Sequence, residues 1–402
     1  MRRGAGRWLA LAFALAAVSA CSVDPAPAVS ADAAGLGNGW RPDHSLALDY
    51  ATRFRVDFFS PPESPCPSDG RPEDGAESEA CQYALIEVAD SARYLVVPEG
   101  QPAPGGLAPD ITVLRRPLTD LYVAASATMS LFVALDALDQ VRFSSLAATG
   151  WHVPEARRAM ERGEIVFGGK YSAPDYELIL RSKPSLAVEN GMITHSPEVK
   201  EKLEALGVPV LVEQSSYEPH PLGRAEWIKL FGVLVGKLAL AEELFDAQAA
   251  HLDDLDGRPA TGQTVAFFHI SSAGHVVARK SGDHVAKMIQ LAGGEYIFHD
   301  LGDDTATSTV NLEMERFYAT AKDADHIVYN STIGGDLGSI ADLVALNPLL
   351  ADFKAVREGH VWCTNKDFYQ DMTGLGQVIA DLHEMLTDPA APDRLAFLHR
   401  LR

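Results

Sequence analysis

Side chains that could hold a small ligand follow the predicted strands along the whole chain. They combine hydroxyl, amide, thioether, aromatic and basic groups. The candidates are Thr128, Lys170, Tyr171, Met192, Ser216, Tyr217, Arg224, Ser272, Asn330, Thr332, Lys366 and Tyr369. Aromatic faces with hydroxyl and amide groups suit a bulky chelate or macrocycle, and the three basic residues could pair with its carboxylates or catecholates. Because ligands of α/β proteins bind at loops that follow strand carboxyl ends, we expect these residues to line a cleft between two lobes.

Metal-binding and catalytic motifs are weak in this sequence. The 13 histidines are scattered and no Cys-x-x-Cys occurs, so a structural zinc site is not expected. His195 and His220 lie near predicted cleft loops and could ligate a metal or haem iron, although a lone loop histidine is more often a surface residue. No Gly-x-Ser-x-Gly elbow marks a nucleophile. The sequence therefore predicts a binding protein without a cofactor of its own, and a lipid-anchored hydrolase is the alternative.

The first half of the chain alternates strands and helices. Strands are predicted over 54–59, 83–89, 94–98, 112–114, 121–124, 165–167, 186–189 and 208–213, and helices over 130–138, 174–182 and 196–206. The strands at 83–89 and 94–98 flank a short turn, which predicts a hairpin. The later strands are continuous apolar runs separated by helices, which is typical of a parallel sheet covered on both faces.

A second set of alternating elements follows a long helical stretch. Its strands are predicted over 265–270, 326–329 and 360–363, and its helices over 284–292, 311–321, 337–346 and 377–386. Between the sets, residues 224–256 carry apolar side chains at helical spacing without a proline. The sequence therefore predicts an α/β protein of two Rossmann-like lobes, 46–223 and 257–402, with largely parallel sheets joined by one long linker helix, 224–256.

The first residues have the pattern of an export signal. Arg2, Arg3 and Arg7 precede an apolar run that is too short to span a bilayer. The run closes on residues 18–21 (VSAC), which resemble the lipobox of bacterial lipoproteins. We therefore expect residues 1–20 to be a signal peptide, Cys21 to carry lipid and 21–45 to be a flexible tether. A plain secretory peptide is the alternative.

Charge and cysteine content fit an extracytoplasmic protein. The formal charge is −21, and the acidity argues against nucleic acid as a partner. It also keeps the body of the protein away from an anionic membrane, which leaves the lipid as the membrane contact. Cys66 and Cys81 bracket a polar loop, and in an exported chain we expect them to form a disulfide. Cys363 lies in an apolar run and is expected to be a buried thiol.

Several strings together resemble the helix-linked class of ABC-transporter substrate-binding proteins, which serve ferric siderophores, haem and cobalamin. In the first lobe these are residues 168–180 (GGKYSAPDYELIL), 183–188 (KPSLAV) and 203–210 (LEALGVPV). In the second lobe the string is 288–298 (MIQLAGGEYIF). Ser185 departs from the family's usual aspartate, and the connector 214–224 is unusually polar.

The resemblance implies a monomeric receptor that captures a metal chelate and delivers it to an ABC permease and its ATPase. An iron complex of the siderophore type is the first expectation, with cobalamin or haem as alternatives. In the family one exposed glutamate on each lobe docks with arginines of the permease. Glu177 matches the first-lobe position. On the second lobe Glu315 is favoured and Glu313 competes.

Overall fold

A computed structural model describes residues 34–37, 39–61, 82–89, 92–303, 305 and 307–402. The predicted signal peptide 1–20, the lipidation site Cys21 and the cysteine pair Cys66 and Cys81 lie outside these residues. Cys363 is described and is a buried free thiol. No helix among the described residues is long and apolar enough to cross a membrane.

An N-terminal sheet opens the first lobe. Its strands are β1 (Arg41–Ser45), β2 (Phe54–Ser60), β3 (Tyr83–Val88), β4 (Ala92–Val97) and β5 (Ile111–Arg115), in that spatial order. The first four pair antiparallel, whereas β4 and β5 run parallel. The predicted hairpin is confirmed as β3 and β4. The sheet is buried on both faces, because each face contributes side chains to a separate apolar core.

The predicted flexible tether extends too far along the chain. Ala34 and Leu36 are buried against the N-terminal sheet, and the ring of Trp40 packs edge-on to Tyr83 with a centroid distance of 4.7 Å. Residues 41–45 form β1, which pairs with β2. Alanine, leucine and tryptophan side chains bury apolar surface here despite the glycines between them. The described part of 21–45 therefore belongs to the first lobe.

The second sheet of this lobe is parallel throughout. Its strands are β6 (Leu121–Val123), β7 (Val141–Ser144), β8 (Val166–Phe167), β11 (Ala187–Asn190) and β12 (Val210–Glu213), and the hairpin β9 (Gly169–Lys170) and β10 (Ala173–Pro174) follows β8. The spatial order is β12-β11-β6-β7-β8. Helices α1 (Met129–Ala134), α2 (Pro154–Glu161), α3 (Tyr176–Ser182) and α4 (Pro197–Ala205) connect the strands. Both faces of this sheet are therefore covered, as the apolar strand pattern predicted.

The second lobe contains a mixed sheet. Its strands are β13 (Thr264–Ile270), β14 (Val276–Arg279), β15 (Glu295–Tyr296), β16 (Thr309–Leu312), β17 (His326–Tyr329), β18 (Val361–Thr364) and β19 (Leu398–Arg400). β13, β17 and β18 form its parallel centre, and β14, β16 and β19 add antiparallel edges. Its helices are α7 (His284–Leu291), α8 (Met314–Ala321), α9 (Ser331–Gly334), α10 (Ile340–Leu346), α11 (Lys354–Glu358) and α12 (Leu375–Thr387). The predicted helix 311–321 is wrong at its start, because residues 311 and 312 belong to β16.

The two-lobed α/β fold is confirmed, but the single linker helix is wrong. Two helices, α5 (Pro221–Val235) and α6 (Leu238–Asp253), occupy this stretch. Gly236 ends α5 with a left-handed φ of 73°, a conformation that glycine adopts without strain. α6 then folds back along α5, so that Ala241 lies beside Gly232 and Phe245 beside Lys229. α6 continues to the second lobe, where it crosses α12.

The polar connector after β12 has a structural role. The buried carboxylate of Glu218 accepts hydrogen bonds from the backbone N–H groups of Thr52 and Arg53 and from the indole N–H of Trp227. Glu226 on α5 accepts three more from residues 49–51. These buried carboxylates fix the segment that precedes β2 to the connector and α5, and their hydrogen bonds offset the cost of burying them.

Candidate functional site

The carboxyl ends of the parallel strands in the two lobes face one another. The side-chain amide of Gln370, in the loop after β18, accepts a hydrogen bond from the backbone N–H of His152 and donates one to the carbonyl of Gly150, both at 2.8 Å. The N–H of Met372 donates to the hydroxyl of Ser130 at 3.0 Å, and Ser215 contacts the Met372 sulfur. The loop after β18 therefore touches the loops that follow β6, β7 and β12.

A cluster of charged and polar side chains lies at this junction of the lobes. Arg279 donates to the hydroxyl of Tyr369 at 2.7 Å, and the amide of Asn330 donates to the same hydroxyl at 3.1 Å. Asp283 lies 3.5 Å from the guanidinium of Arg279. Arg224 of α5 enters the cluster from the first lobe, and its buried Nε has no hydrogen-bond partner among the described residues. Three predicted ligand residues, Arg224, Asn330 and Tyr369, are therefore brought together.

Burial determines how this cluster titrates. It lowers the pKa of the Arg224 guanidinium, although the nearby Glu213 carboxyl opposes that change. It raises the pKa of the Asp283 carboxyl against the opposing effect of Arg279. It also raises the pKa of the Tyr369 hydroxyl to about 12, so this hydroxyl is neutral at physiological pH. The junction therefore holds two arginines from opposite lobes in a poorly solvated setting, where charge interactions are strong.

A polar cavity of about 640 Å³ lies beside this junction, within the size range of small-molecule sites. We call it the polar cavity, and it is lined by His152, Asp336, Leu337, Thr364, Asn365, Lys366, Asp367, Arg394, Ala396 and His399. His152 comes from the first lobe and the other residues come from the second. A smaller space of about 140 Å³, also between the lobes, shares Asp367 with it. Of the predicted ligand residues, Lys366 alone lines the polar cavity.

Large apolar side chains remain uncovered near the same strand ends. Phe167 ends β8, Met192 follows β11, Tyr217 follows β12 and Ile333 follows β17; their exposed fractions lie between 43% and 54%. Single exposed apolar residues are common on protein surfaces. Here, however, they recur at the strand ends of both lobes, where a ligand would cover them. Met192 and Tyr217 were predicted as ligand residues, and both are exposed.

Other predicted ligand residues have different surroundings. Thr128 is fully buried and its hydroxyl bonds to the carbonyl of Ala125, so it does not face the cleft in this structure. The hydroxyl of Thr332 donates to the carbonyl of Asn365, and the ammonium of Lys366 pairs with Asp336 at 2.5 Å. The remaining candidates are at least partly accessible to solvent, and these are Lys170, Tyr171, Ser216 and Ser272. No described contact joins them to the junction cluster.

The two histidines that are candidate metal ligands also have different surroundings. His220 lies at the N-terminus of α5, where its Nδ1 accepts from the N–H of Leu222 and its ring stacks on Tyr50. Burial lowers the pKa of His220, which keeps the ring neutral for this capping role. His195 is exposed at the end of a short 3₁₀ turn. No group of histidine, cysteine and acidic side chains in the described chain is arranged to hold a metal ion.

The candidate docking glutamates occupy equivalent positions. Glu177 is the second residue of α3 and Glu315 is the second residue of α8, and both are exposed. Glu313 is the residue that caps α8, and it lies 3.6 Å from His275. An acidic residue in the first turn of a helix is favoured by the helix dipole, so this position also suits a glutamate without a partner.

Several site residues had no signal in the sequence. Asp367 and Gln370 lie in the same loop as Lys366 and Tyr369. Their position after a strand does not show which of these side chains line the cavity and which bridge the lobes. Asp283 precedes a helical pattern and serves as its N-cap, a signal that could have been found. Arg394 and His399 follow the last predicted helix and reach the cavity because β19 pairs with β18.

Comparison with known proteins places this arrangement in a family. The family described as periplasmic binding protein matches residues 124–367, which is more than half of the chain. An uncharacterized lipoprotein of Methanocaldococcus jannaschii is 26% identical over 329 residues, which cover 78% of this chain and 77% of that protein. Two solved structures are also similar in fold. One is a periplasmic haem-binding protein from Pseudomonas aeruginosa, with a TM-score of 0.55, 18% identity, and coverage of 71% of this chain and 98% of that one.

The other is the periplasmic haem-binding protein HutB of Vibrio cholerae, with a TM-score of 0.55 and 17% identity, covering 68% of this chain and 99% of that one. At these identities the two structures establish the shared fold. The family match extends from the residue after β6 to the loop after β18, and therefore includes most strands of both central sheets and the helices between the lobes. The chain belongs to the periplasmic binding protein family and is a solute-binding protein of the ABC-transporter type rather than an enzyme.

Proposed function

We propose that this protein is a lipid-anchored receptor that captures an iron complex of the siderophore type and delivers it to an ABC permease. The observation that carries the proposal is the polar cavity at the strand ends of the second lobe, which is lined by Lys366, Arg394 and, from the first lobe, His152. Siderophore-type iron chelates present oxygen-rich and often anionic surfaces, which suit arginine and lysine donors. Lipid on Cys21 would hold the receptor near its permease and raise the effective concentration for docking.

A haem or cobalamin ligand is the second candidate. It is favoured by the uncovered side chains of Phe167, Met192, Tyr217 and Ile333, because a macrocycle offers a large apolar face to cover them. The similar structures from Pseudomonas aeruginosa and Vibrio cholerae are named as haem-binding proteins. The two candidates differ in which part of the cleft would hold most of the ligand.

Tryptophan fluorescence of purified residues 22–402 should distinguish these ligands. Trp151 is buried between Gly150 and His152, the residues that Gln370 contacts across the lobes, so its emission should respond to a ligand bound there. We expect saturable quenching by at least one ferric siderophore in a panel that also contains haemin and cobalamin. Quenching by haemin or cobalamin alone would favour the second candidate. A lack of response to the whole panel would contradict both.

Charge reversal at Glu177 should abolish uptake and leave ligand affinity unchanged. The side chain is exposed on α3 and makes no described contact in the cleft, whereas docking would need its charge opposite a permease arginine. The measurement compares ligand affinity of the purified Glu177→Lys protein with ligand uptake by cells that express it. Glu201→Lys is the matched control, because Glu201 is exposed on neighbouring α4 and should tolerate the change. Uptake by the Glu177→Lys strain at the wild-type rate would remove Glu177 from the docking surface.

A further inference from the structure

The polar cavity has charged donors and two acceptors that together define a ligand chemistry. We propose that it binds a hydroxycarboxylate, either as the free acid or as the ligand shell of a metal chelate, and that the C-terminal segment 394–399 sets this specificity. This inference rests on the proposed function and narrows its substrate class.

Arginine and lysine supply the donors. The ammonium of Lys366 pairs with Asp336 on the cavity wall, which holds it in place. The guanidinium of Arg394 lines the same cavity and donates to no described residue. An arginine presents parallel N–H groups that match the two oxygens of a carboxylate. Arg394 is therefore the principal carboxylate-binding residue.

Two acceptors lie in the same cavity. Nδ1 of His399 is 2.8 Å from the amide oxygen of Asn365, whose amide nitrogen donates to the carbonyl of Ala396. This network assigns the His399 proton to Nδ1 and leaves Nε2 as an acceptor. The second acceptor is Oδ1 of Asp367, which is buried without a hydrogen-bond partner among the described residues. A purely anionic ligand would satisfy neither atom.

A ligand that satisfies all four groups must offer both carboxylate oxygens and hydroxyl protons. Hydroxycarboxylates combine the two on adjacent carbon atoms. Their metal chelates bind the hydroxyl oxygen to the metal and keep peripheral carboxylate oxygens, so a chelate would be held through Arg394 and Lys366 alone. A buried acceptor left without a donor costs free energy, so the hydroxyl should contribute measurably to affinity. The carboxylate and the hydroxyl are thus recognised by different residues and can be tested separately.

The cavity wall that carries Arg394 and His399 lies outside the residues that match the family. The family match ends at Asp367, whereas β19 brings residues 394–399 to the cavity by pairing antiparallel with β18, with His399 opposite Cys363. The N–H of Phe397 donates to the buried carboxyl of Asp381 on α12, which fixes the segment from the other side. The segment is therefore held firmly enough to position a ligand.

Titration calorimetry on purified residues 22–402 tests the proposal with citrate, ferric citrate and tricarballylate, which is citrate without its hydroxyl. We expect citrate or ferric citrate to bind saturably and tricarballylate to bind at least fivefold more weakly than citrate. Arg394→Gln should weaken citrate binding at least tenfold, with partial recovery in Arg394→Lys. His399→Leu should reduce the preference for citrate over tricarballylate.

Arg402→Gln provides the control, because Arg402 is a nearby exposed arginine that pairs with Asp393 and does not line the cavity. Its affinity for citrate should equal that of the wild type. Failure of citrate and ferric citrate to bind, or equal affinity in Arg394→Gln and wild type, would overturn the inference. If another ferric siderophore or haemin bound while both citrate forms did not, the receptor function would stand and this inference alone would fail. Equal binding of the free and ferric forms would support the cavity chemistry and argue against a receptor specific for iron.

Discussion

Replacing Gly376 by alanine is expected to destabilise the protein by about 2–4 kcal/mol, because it introduces a methyl group where two helix backbones cross. A Cβ at this position would overlap the carbonyl oxygen of Gln248 on α6 and lie 2.8 Å from its carbonyl carbon. Backbone atoms cannot move aside as a flexible side chain can. The side chain of Gln248 also accepts a hydrogen bond from the N–H of Gln377, so separation of the helices would break a second contact.

The crossing of α6 and α12 is where the linker meets the second lobe, so its loss should also affect the relation of the lobes. Urea denaturation followed by circular dichroism measures the change in free energy of unfolding. Gly105→Ala is the control, because Gly105 is exposed with open space around it and should change stability by less than about 0.5 kcal/mol. A Gly376→Ala protein as stable as the wild type would show that the helices can separate without cost.

The same glycine positions show what the sequence could and could not predict. The helical periodicity of 224–256 predicts the helical structure observed there, but the turn within it depends on Gly236 adopting a left-handed conformation. An isolated glycine in a helical pattern is compatible with both a continuous helix and a helix end. The decisive interactions, such as Ala241 against Gly232, connect residues on either side of the turn and have no local signature.

The sequence predicted only part of the candidate site, again because some contacts join residues that are distant along the chain. Loop residues that follow apolar strands, such as Asn330, Lys366 and Tyr369, could be located from strand position alone, and two of them lie in one cluster with Arg224. Residues that reach the cleft through long-range strand pairing could not, and Arg394 and His399 are examples. Strand position also does not show which way a side chain points: the Thr128 hydroxyl, at a helix start, bonds to the local backbone.

Glu189 should make the protein lose stability as the pH rises, which is the opposite of the usual behaviour of a paired carboxylate. Its side chain, on β11 in the first lobe, is 0% exposed, and neither carboxylate oxygen has a hydrogen-bond partner among the described residues. Burial raises the pKa of Glu189 to about 8 from an ordinary value of 4.5. Its charge in turn helps to raise the pKa values of the neighbouring Tyr122 and Tyr176 hydroxyls, after the larger effect of their own burial.

The direction of the pH dependence follows from linkage. Below pH 4.5 the carboxyl is protonated in both the folded and unfolded states, so it makes no difference there. Between pH 4.5 and 8 the unfolded chain releases the proton while the folded protein retains it, and stability falls by about 1.4 kcal/mol per pH unit. Above pH 8 the accumulated loss should reach about 3–5 kcal/mol, because the folded protein then holds an unpaired buried charge.

The free energy of unfolding of wild type and Glu189→Gln, measured by urea denaturation from pH 5 to 9, isolates this contribution. The glutamine variant keeps the shape of the side chain but cannot titrate, so it should become progressively more stable relative to wild type as the pH rises. Glu201→Gln on exposed α4 should show no such trend. A difference between Glu189→Gln and wild type that stayed constant across this range would mean that the carboxyl keeps its ordinary acidity and is solvated.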